Sequence, residues 1–457
     1  VAYAVLRKKL EKRYAEIKEV TADNETAPRF LLLYCTCNDF NAAALSACRK
    51  QDYPNFTTII LDDSSKPGYI NEINRYAALR EGVEVIRREN HVGYKAGNLN
   101  NYLGDRTDYD YFVVLDSDEI IPKNYIRKVL KYFAYDKNCG AVQARHEAQK
   151  GNNVFQRLMG LCVGSNGKTV QVIKNFYGAN ALNGHGMTIS RECYEKTGGF
   201  PLVVAEDISF AVDIKNAGLN VIYAPDILCY EEFPVNYVSL KKRQCKWTQG
   251  NLEYMKKYNR EIKESKMTWY EKLDLKLSHY SLPIVPILSF LLAVCTICLG
   301  VLGYPVIRYS LIVYAVMILF LCSPMIPDFF VYNKSRNAFL LLPYFIINVA
   351  TYASLAPMML KTVLLGVFGK KATFTVTPKE SENFSVFEAI KYTFDSLVFA
   401  ITLGALSLIA CGSLLPVIFV IAGCFASPFI VALSNMSLPP KKDGCQAATV
   451  RERKFEG

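Results

Sequence analysis

Tyr111-Phe-Val-Val-Leu-Asp-Ser-Asp118 joins a short apolar run to two carboxylates one residue apart. The apolar part has the length and composition of a buried strand, and the acids fall at its carboxyl end. Working outward, the same rhythm recurs. Phe30-Leu-Leu-Leu-Tyr34 is a second such run, followed by a helical stretch over 41–50. Thr57-Thr-Ile-Ile-Leu61 ends in Asp62-Asp63-Ser-Ser65, and Gly82-Val-Glu-Val-Ile86 is a fourth run. Apolar strands that alternate with helical segments predict a mostly parallel sheet covered on both faces. Ligands of such sheets bind at the carboxyl ends of the strands, where these acids lie.

The rest of the chain divides it in two. Of 457 residues, 51% are apolar, 12% aromatic and 21% charged, which excludes a disordered chain. Most of the charge lies in residues 1–280, whereas residues 281–326 and 396–434 are nearly free of it. Within them 281–302, 306–326, 396–412 and 414–434 are each long enough to span a bilayer. Residues 340–367 are apolar too, but Asn348, Pro357 and Lys361 are costly in hydrocarbon, so this stretch is expected at the interface. The net charge of +11 sits largely beside the apolar segments, at Arg7-Lys-Lys9, Lys241-Lys-Arg243, Lys370-Lys371 and Lys441-Lys442. That placement favours lipid headgroups and anionic diphosphates as partners, and no nucleic acid. The fourteen cysteines follow no zinc or disulfide spacing and read as free thiols. Val1–Leu6, apolar and followed at once by Arg7, reads as the cytosolic end of a membrane helix or as the start of an amphipathic one.

Several short motifs carry chemistry. Asp116-Ser-Asp118 is either a solvated acidic turn or a pair of hard oxygen ligands for a divalent cation holding a diphosphate. Lys95-Ala-Gly-Asn98 offers a cation on a glycine-permitted turn, suited to phosphate. Ala205-Glu206-Asp207 precedes an amphipathic helix, so its acids can cap that helix or serve as a general base. Arg243-Gln-Cys-Lys246-Trp247 can anchor at a membrane interface, or can stack a sugar ring and neutralise a leaving diphosphate. Phe374-Thr-Val-Thr377-Pro-Lys379 lies in a polar loop before the last two apolar runs.

Taken in order, these motifs resemble the processive, membrane-embedded family-2 glycosyltransferases of the cellulose synthase and mixed-linkage (1,3;1,4)-β-glucan synthase type. The resemblance covers residues 30 to about 434. It implies an α/β GT-A (Rossmann-like) cytosolic domain followed by an α-helical transmembrane bundle with interfacial helices. The implied division is a membrane-helix end and linker over 1–27, the GT-A domain over 28–260 and an interfacial amphipathic helix over 261–280. Two transmembrane helices follow over 281–326, interfacial helices over 327–369, and a gating loop with an interfacial helix over 370–395. Two more transmembrane helices occupy 396–434, and a cytosolic tail 435–457. Asp207, aided by Glu206, takes the catalytic base position, in a motif with Ala205 where the family has Thr. Thr36, Asp39, Asp62, Asp63, Lys95, Asp116, Arg243 and Lys246 take the nucleotide side, with Lys246 where the family has Arg. Asp116 and Asp118 would hold Mg²⁺ or Mn²⁺. Trp247 and His185 would face the acceptor, and Phe374, Val376, Thr377 and Lys379 would form the gating loop, which points to glucan.

The function this implies is polymerisation of glucose from UDP-glucose into a β-1,4 or mixed-linkage glucan. The nascent chain would pass through a channel in the transmembrane helices, with room for separate accessory secretion subunits, in an integral plasma (inner) membrane protein whose catalytic domain is cytosolic. The competing readings are a hyaluronan- or chitin-type synthase using UDP-GlcNAc, a non-processive polyprenyl-phosphate glycosyltransferase, and a transporter or receptor with a nucleotide-sensing domain.

Overall fold

A computed structural model describes residues 2–19, 27–303, 315–316, 318–319, 325–332, 339, 341–373, 379 and 383–438. Its centre is a seven-stranded sheet of order β3-β2-β1-β4-β6-β5-β7. The strands are β1 (Phe30–Thr36), β2 (Phe56–Asp62), β3 (Val83–Ile86), β4 (Tyr111–Leu115), β5 (Cys139–Ala148), β6 (Met187–Ser190) and β7 (Asn220–Glu231). The first four are mutually parallel, and β6 runs antiparallel between β4 and β5. All four strand runs read from the sequence are present. The last three strands carry no equally plain apolar run.

β1 explains why the sheet is covered on both faces. Successive side chains of a strand point to opposite sides. Phe30, Leu32 and Tyr34 accordingly enter one core cluster, and Leu31 and Leu33 the other. The helices between the strands supply the two layers: α1 (Ala2–Ala15), α2 (Ala42–Cys48), α3 (Pro67–Ala78), α4 (Tyr94–Leu103) and α5 (Tyr125–Tyr135). After β5 come α6 (Val154–Met159), α7 (Leu161–Lys168) and α8 (Val170–Tyr177), then α9 (Arg191–Thr197) and α10 (Glu206–Asn216). Parallel pairing aligns the carboxyl ends, so that Thr36 lies beside Asp62 and Tyr34 beside Leu115. The opening segment forms α1, which docks on this domain by burying Leu10 with Val172 and Tyr223.

The remaining helices are α11 (Tyr237–Glu264), α12 (Trp269–Val301), α13 (Ile326–Tyr332), α14 (Leu341–Val367), α15 (Val386–Cys411) and α16 (Ile418–Ala432). Among the described residues, four helical stretches are long and apolar enough to cross a membrane: Trp269–Val301, Leu341–Val367, Val386–Cys411 and Leu415–Asn435. Three boundaries expected from the sequence differ. The divisions at 280/281 and 395/396 fall inside α12 and α15, which run unbroken, and α11 passes 260 to end at Glu264. The stretch expected at the interface is one helix, α14, which accommodates Pro357 and buries Asn348. Most of the apolar run 306–326 lies outside the described residues, as do Phe374, Val376 and Thr377.

Gly97, in the first turn of α4, is fixed by a close approach. A Cβ there would lie 2.0 Å from the Val92 carbonyl oxygen and 2.7 Å from the Arg88 guanidinium. Gly97→Ala is therefore expected to destabilise the domain by about 1–3 kcal/mol, read as a lower thermal midpoint of the detergent-solubilised chain.

Candidate active site

The carboxyl edge of the sheet gathers the acids. Asp39, three residues past the end of β1, accepts hydrogen bonds from Thr36 Oγ1 (3.0 Å) and the Cys37 amide (2.9 Å). Asn38, left-handed at φ 60°, knits this turn to the next, since its Oδ1 accepts from the amides of Ser65 and Lys66 at 3.0 and 2.8 Å. Asp62 ends β2 fully buried and takes Arg87 Nε at 2.6 Å. Asp63 takes both arms of Arg88, at 2.9 and 2.7 Å. The two acids expected to meet nucleotide are thus each neutralised by an arginine from the segment after β3. The sequence reading missed Arg87 and Arg88, although two adjacent arginines at the carboxyl end of a strand were a visible signal.

Lys95, in the first turn of α4, reaches across to Asp116 and also donates to the Gly184 carbonyl at 2.7 Å. Burial opposes the charge on both groups, yet their mutual attraction prevails. Lys95 titrates above the ordinary lysine range, and Asp116 below the ordinary carboxylate range, with His185 assisting. Asp118 is held from both sides: Oδ2 accepts from the Glu232 amide at 2.8 Å, and Oδ1 from Lys379 Nζ at 2.8 Å. Lys379 also donates to Ser117 Oγ and lies 3.0 Å from Asp39 Oδ2. The only residue of the gating-loop motif among those described therefore sits on the acidic turn. Asp116 and Asp118 suit a divalent cation: their donors are hard oxygens, and two ammonium groups already rest on them.

Glu206 and Asp207 open α10, and burial raises both above the ordinary carboxylate range. For Glu206 the Asp207 charge adds to that rise, while the Ile208 amide, donating to Asp207 Oδ1 at 2.8 Å, restrains that of Asp207. The loop before them is braced by α11, where Glu253 Oε2 accepts from the Val204 amide at 3.0 Å. Burial lowers the Lys246 ammonium, against the pull of Asp116, Glu206 and Asp207. Trp247, 45% exposed, carries the Arg243 guanidinium on its ring at 4.5 Å, and Phe233 backs that guanidinium at 4.6 Å. Arg243 is thus committed to an aromatic stack that steadies the Trp. His185 lies in the loop before β6, and its ring nitrogens face Glu119 (3.4 Å) and Glu231 (3.2 Å). The cysteines among the described residues are all free.

The structure is a GT-A-like α/β domain with an acid-rich carboxyl edge, joined to helices long and apolar enough to cross a membrane. Residues 111–332 match the family described as glycosyl transferase family group 2. It is similar to the glucans biosynthesis glucosyltransferase H of Shewanella baltica OS155, at 27% identity over 249 residues, which is 48% of this chain and 33% of that protein. The proteins of that name from strains OS185 and OS195 match equally. The chain thus spans about a third of the length of the curated relatives it matches. Among solved structures, it shares its fold with a mannosyltransferase from Pyrobaculum calidifontis in complex with GDP-Man and Mn²⁺. That likeness has a TM-score of 0.50 at 20% identity, over 80% of this chain and 94% of the other.

Arg88→Ala leaves the Asp63 carboxylate buried without its partner, the two side chains being only 5% and 12% exposed. It is expected to cost about 3–5 kcal/mol of stability, measured by thermal unfolding. Arg88→Lys should recover only part of the loss, because an ammonium cannot offer the same fork.

Proposed function

We propose that this chain is a processive, inverting hexosyltransferase that polymerises glucose from UDP-glucose into a β-glucan and passes it through its membrane helices. The observation that carries the reading is the gathering of Lys95, Asp116, Asp207 and Lys246 within one another's electrostatic reach. Lys379, a residue from the segment between membrane-length helices, is paired to Asp118 beside them. The similarity to glucosyltransferases of glucan biosynthesis supports glucose as the sugar.

In this reading Asp207 takes the proton from the acceptor hydroxyl as its oxygen attacks the anomeric carbon. The new glycosidic bond forms while the bond to the diphosphate oxygen breaks, and UDP leaves with that electron pair. Glu206 keeps the charge beside Asp207 in play, and its raised titration limits repulsion between the neighbours. Lys95 and Lys246 meet the negative charge that grows on the leaving diphosphate. Asp116 and Asp118 would hold Mg²⁺ or Mn²⁺, which offsets the same charge when bound. Thr36, Asp39, Asp62 and Asp63 line the nucleoside side, the last two as arginine-paired walls.

Trp247 stacks on the terminal sugar, with Arg243 stiffening the ring from behind, and the loop of His185 forms the opposite wall. The gating-loop role goes to Lys379, which meets the diphosphate once donor is bound, together with Phe374, Val376 and Thr377, which lie outside the described residues. The catalytic domain faces the cytosol of a plasma (inner) membrane, with the nascent polysaccharide, membrane lipid and separate secretion subunits as partners.

The test incubates membranes with radiolabelled UDP-glucose or UDP-GlcNAc and Mg²⁺ or Mn²⁺. High-mass glucan from UDP-glucose supports the reading, whereas a polymer from UDP-GlcNAc alone, or labelled glycolipid, overturns it. Asp207→Asn should lower kcat about 10²–10⁴-fold while UDP binding survives. Because burial raises the titration of Glu206 and Asp207, the wild-type rate should fall on acidification through a limb above the ordinary carboxylate pKa of about 4. Trp247→Ala should abolish elongation and leave UDP affinity nearly unchanged, as measured by calorimetry; equal loss of both contradicts a role confined to the acceptor.

A further inference from the structure

Beside the Asp116-Ser-Asp118 turn the sheet buries a second polar cluster, which shares His185 with the proposed acceptor wall. Glu119 follows the turn, His146 lies on β5, Glu231 ends β7, and His185 comes from the loop before β6. The Glu119 side chain is fully buried, and those of His146, His185 and Glu231 are 4%, 15% and 19% exposed. His146 Nε2 lies 2.8 Å from Glu119 Oε1. His185 Nδ1 lies 3.4 Å from Glu119 Oε2, and its Nε2 3.2 Å from Glu231 Oε2. The two imidazoles meet edge to face with centroids 4.5 Å apart. A ring nitrogen of His146, one of His185 and a carboxylate oxygen of Glu231 all lie within 4.8 Å of one another.

Two further observations point to a ligand. His146 Nδ1 is buried and has no hydrogen-bond partner among the described residues, although a buried ring nitrogen left bare is costly. Gly186, at φ +55°, presses its backbone on the cluster, and a Cβ there would lie 2.4 Å from both Glu119 Oε1 and His146 Nε2. Its amide donates to Glu119 Oε2 at 2.9 Å. The chain has been closed tightly around this cluster.

Two buried carboxylates, Glu119 and Glu231, flank the two imidazoles, so a positive charge is needed among them, either a proton on His185 or a metal ion in its place. Glu119 Oε1 lies at hydrogen-bond distance from His146 Nε2, as carboxylates behind metal-bound histidines do, which leaves His146 the lone pair of Nδ1. We propose that His146, His185 and Glu231 form a Zn²⁺ site, with Glu119 orienting the His146 imidazole. The 3.2 Å between His185 Nε2 and Glu231 Oε2 fits the edge of a tetrahedron, about 3.4 Å for metal–ligand bonds near 2.1 Å. Imidazole donors select a first-row transition metal over Mg²⁺, which separates this site from the all-oxygen pair at Asp116 and Asp118.

The ion would staple four segments together: the acidic turn, β5, the loop over 184–186 and the end of β7. Gly184 of that loop supplies the carbonyl that receives Lys95. The zinc therefore positions Asp116 and Lys95 without touching the donor sugar.

The test measures metal in the full chain purified in detergent without added metal. Elemental analysis should find about one zinc per chain that survives dialysis. His146→Gln and His185→Gln should lose it, and Asp116→Asn and Asp118→Asn should retain it. Glu119→Gln should weaken zinc affinity about 10–100-fold, read by competition with a chromophoric chelator. Stripped wild-type chain titrated with Co²⁺ should develop a tetrahedral ligand-field spectrum, a readout that does not depend on the histidine variants folding. A wild-type chain that carries no zinc and gives no such spectrum overturns the site. So does zinc that leaves with Asp116 or Asp118 and stays in the histidine variants.

Discussion

Carboxylates crowded at one edge of a buried sheet repel one another unless cations are brought in among them, and this requirement organises the catalytic half. Asp62 and Asp63 are matched by Arg87 and Arg88, Asp116 by Lys95, and Asp39 and Asp118 by Lys379. Each cation comes from a different place in the chain from its acid. The pairing therefore holds the turns together as well as balancing charge. Asp39, Asp62, Asp63 and Asp118 are largely shielded from water, whereas Asp116 keeps 41% of its side chain exposed. The buried pairs are accordingly stronger than at a surface, and each of their members would be dearer unpaired. Among the described residues Glu206 and Asp207 have no cation as close as these, and burial raises the titration of both.

α11 carries this arrangement to the membrane helices. Near its start the Tyr237 hydroxyl meets Ser354 Oγ of α14 at 2.8 Å, and Lys241 pairs with Asp395 of α15 at 2.6 Å. Further along, Arg243 stacks on Trp247, Lys246 lies within electrostatic reach of Asp116, Glu206 and Asp207, and Glu253 braces the loop before Asp207. Gly250 lets that loop approach, since a Cβ there would lie 3.2 Å from that of Ala205. One helix thus joins Trp247, the loop before Asp207 and the membrane-length helices in a single frame. An apolar cluster that joins Phe155, Phe233 and Leu240 to Leu355, Met358 and Ile430 seals the junction.

Much of the fold was legible because local physics and tertiary structure agree there. Phe30-Leu-Leu-Leu-Tyr34 can only be a strand buried on both faces, and both core clusters claim its alternate residues. The helix boundaries near 281 and 396 were not legible. Hydropathy changes abruptly at those points, but backbone hydrogen bonding does not, so α12 and α15 continue through. Pro357 likewise reads as a breaker, yet its position within α14 is tolerated where neighbouring helices pack around it.

The sequence by itself determined the strand–helix alternation, the placement of acids at strand ends and the segregation of charge from apolar runs. Each of these is a property of neighbours in the chain. Which cation serves which acid was decided only in three dimensions. Lys379 reaches Asp118 from 261 residues away, and Glu119 meets His146 across 27. No local pattern encodes such contacts, because they arise when sheet register and helix packing bring distant side chains into one low-dielectric space. There the cost of an unbalanced charge selects the partner.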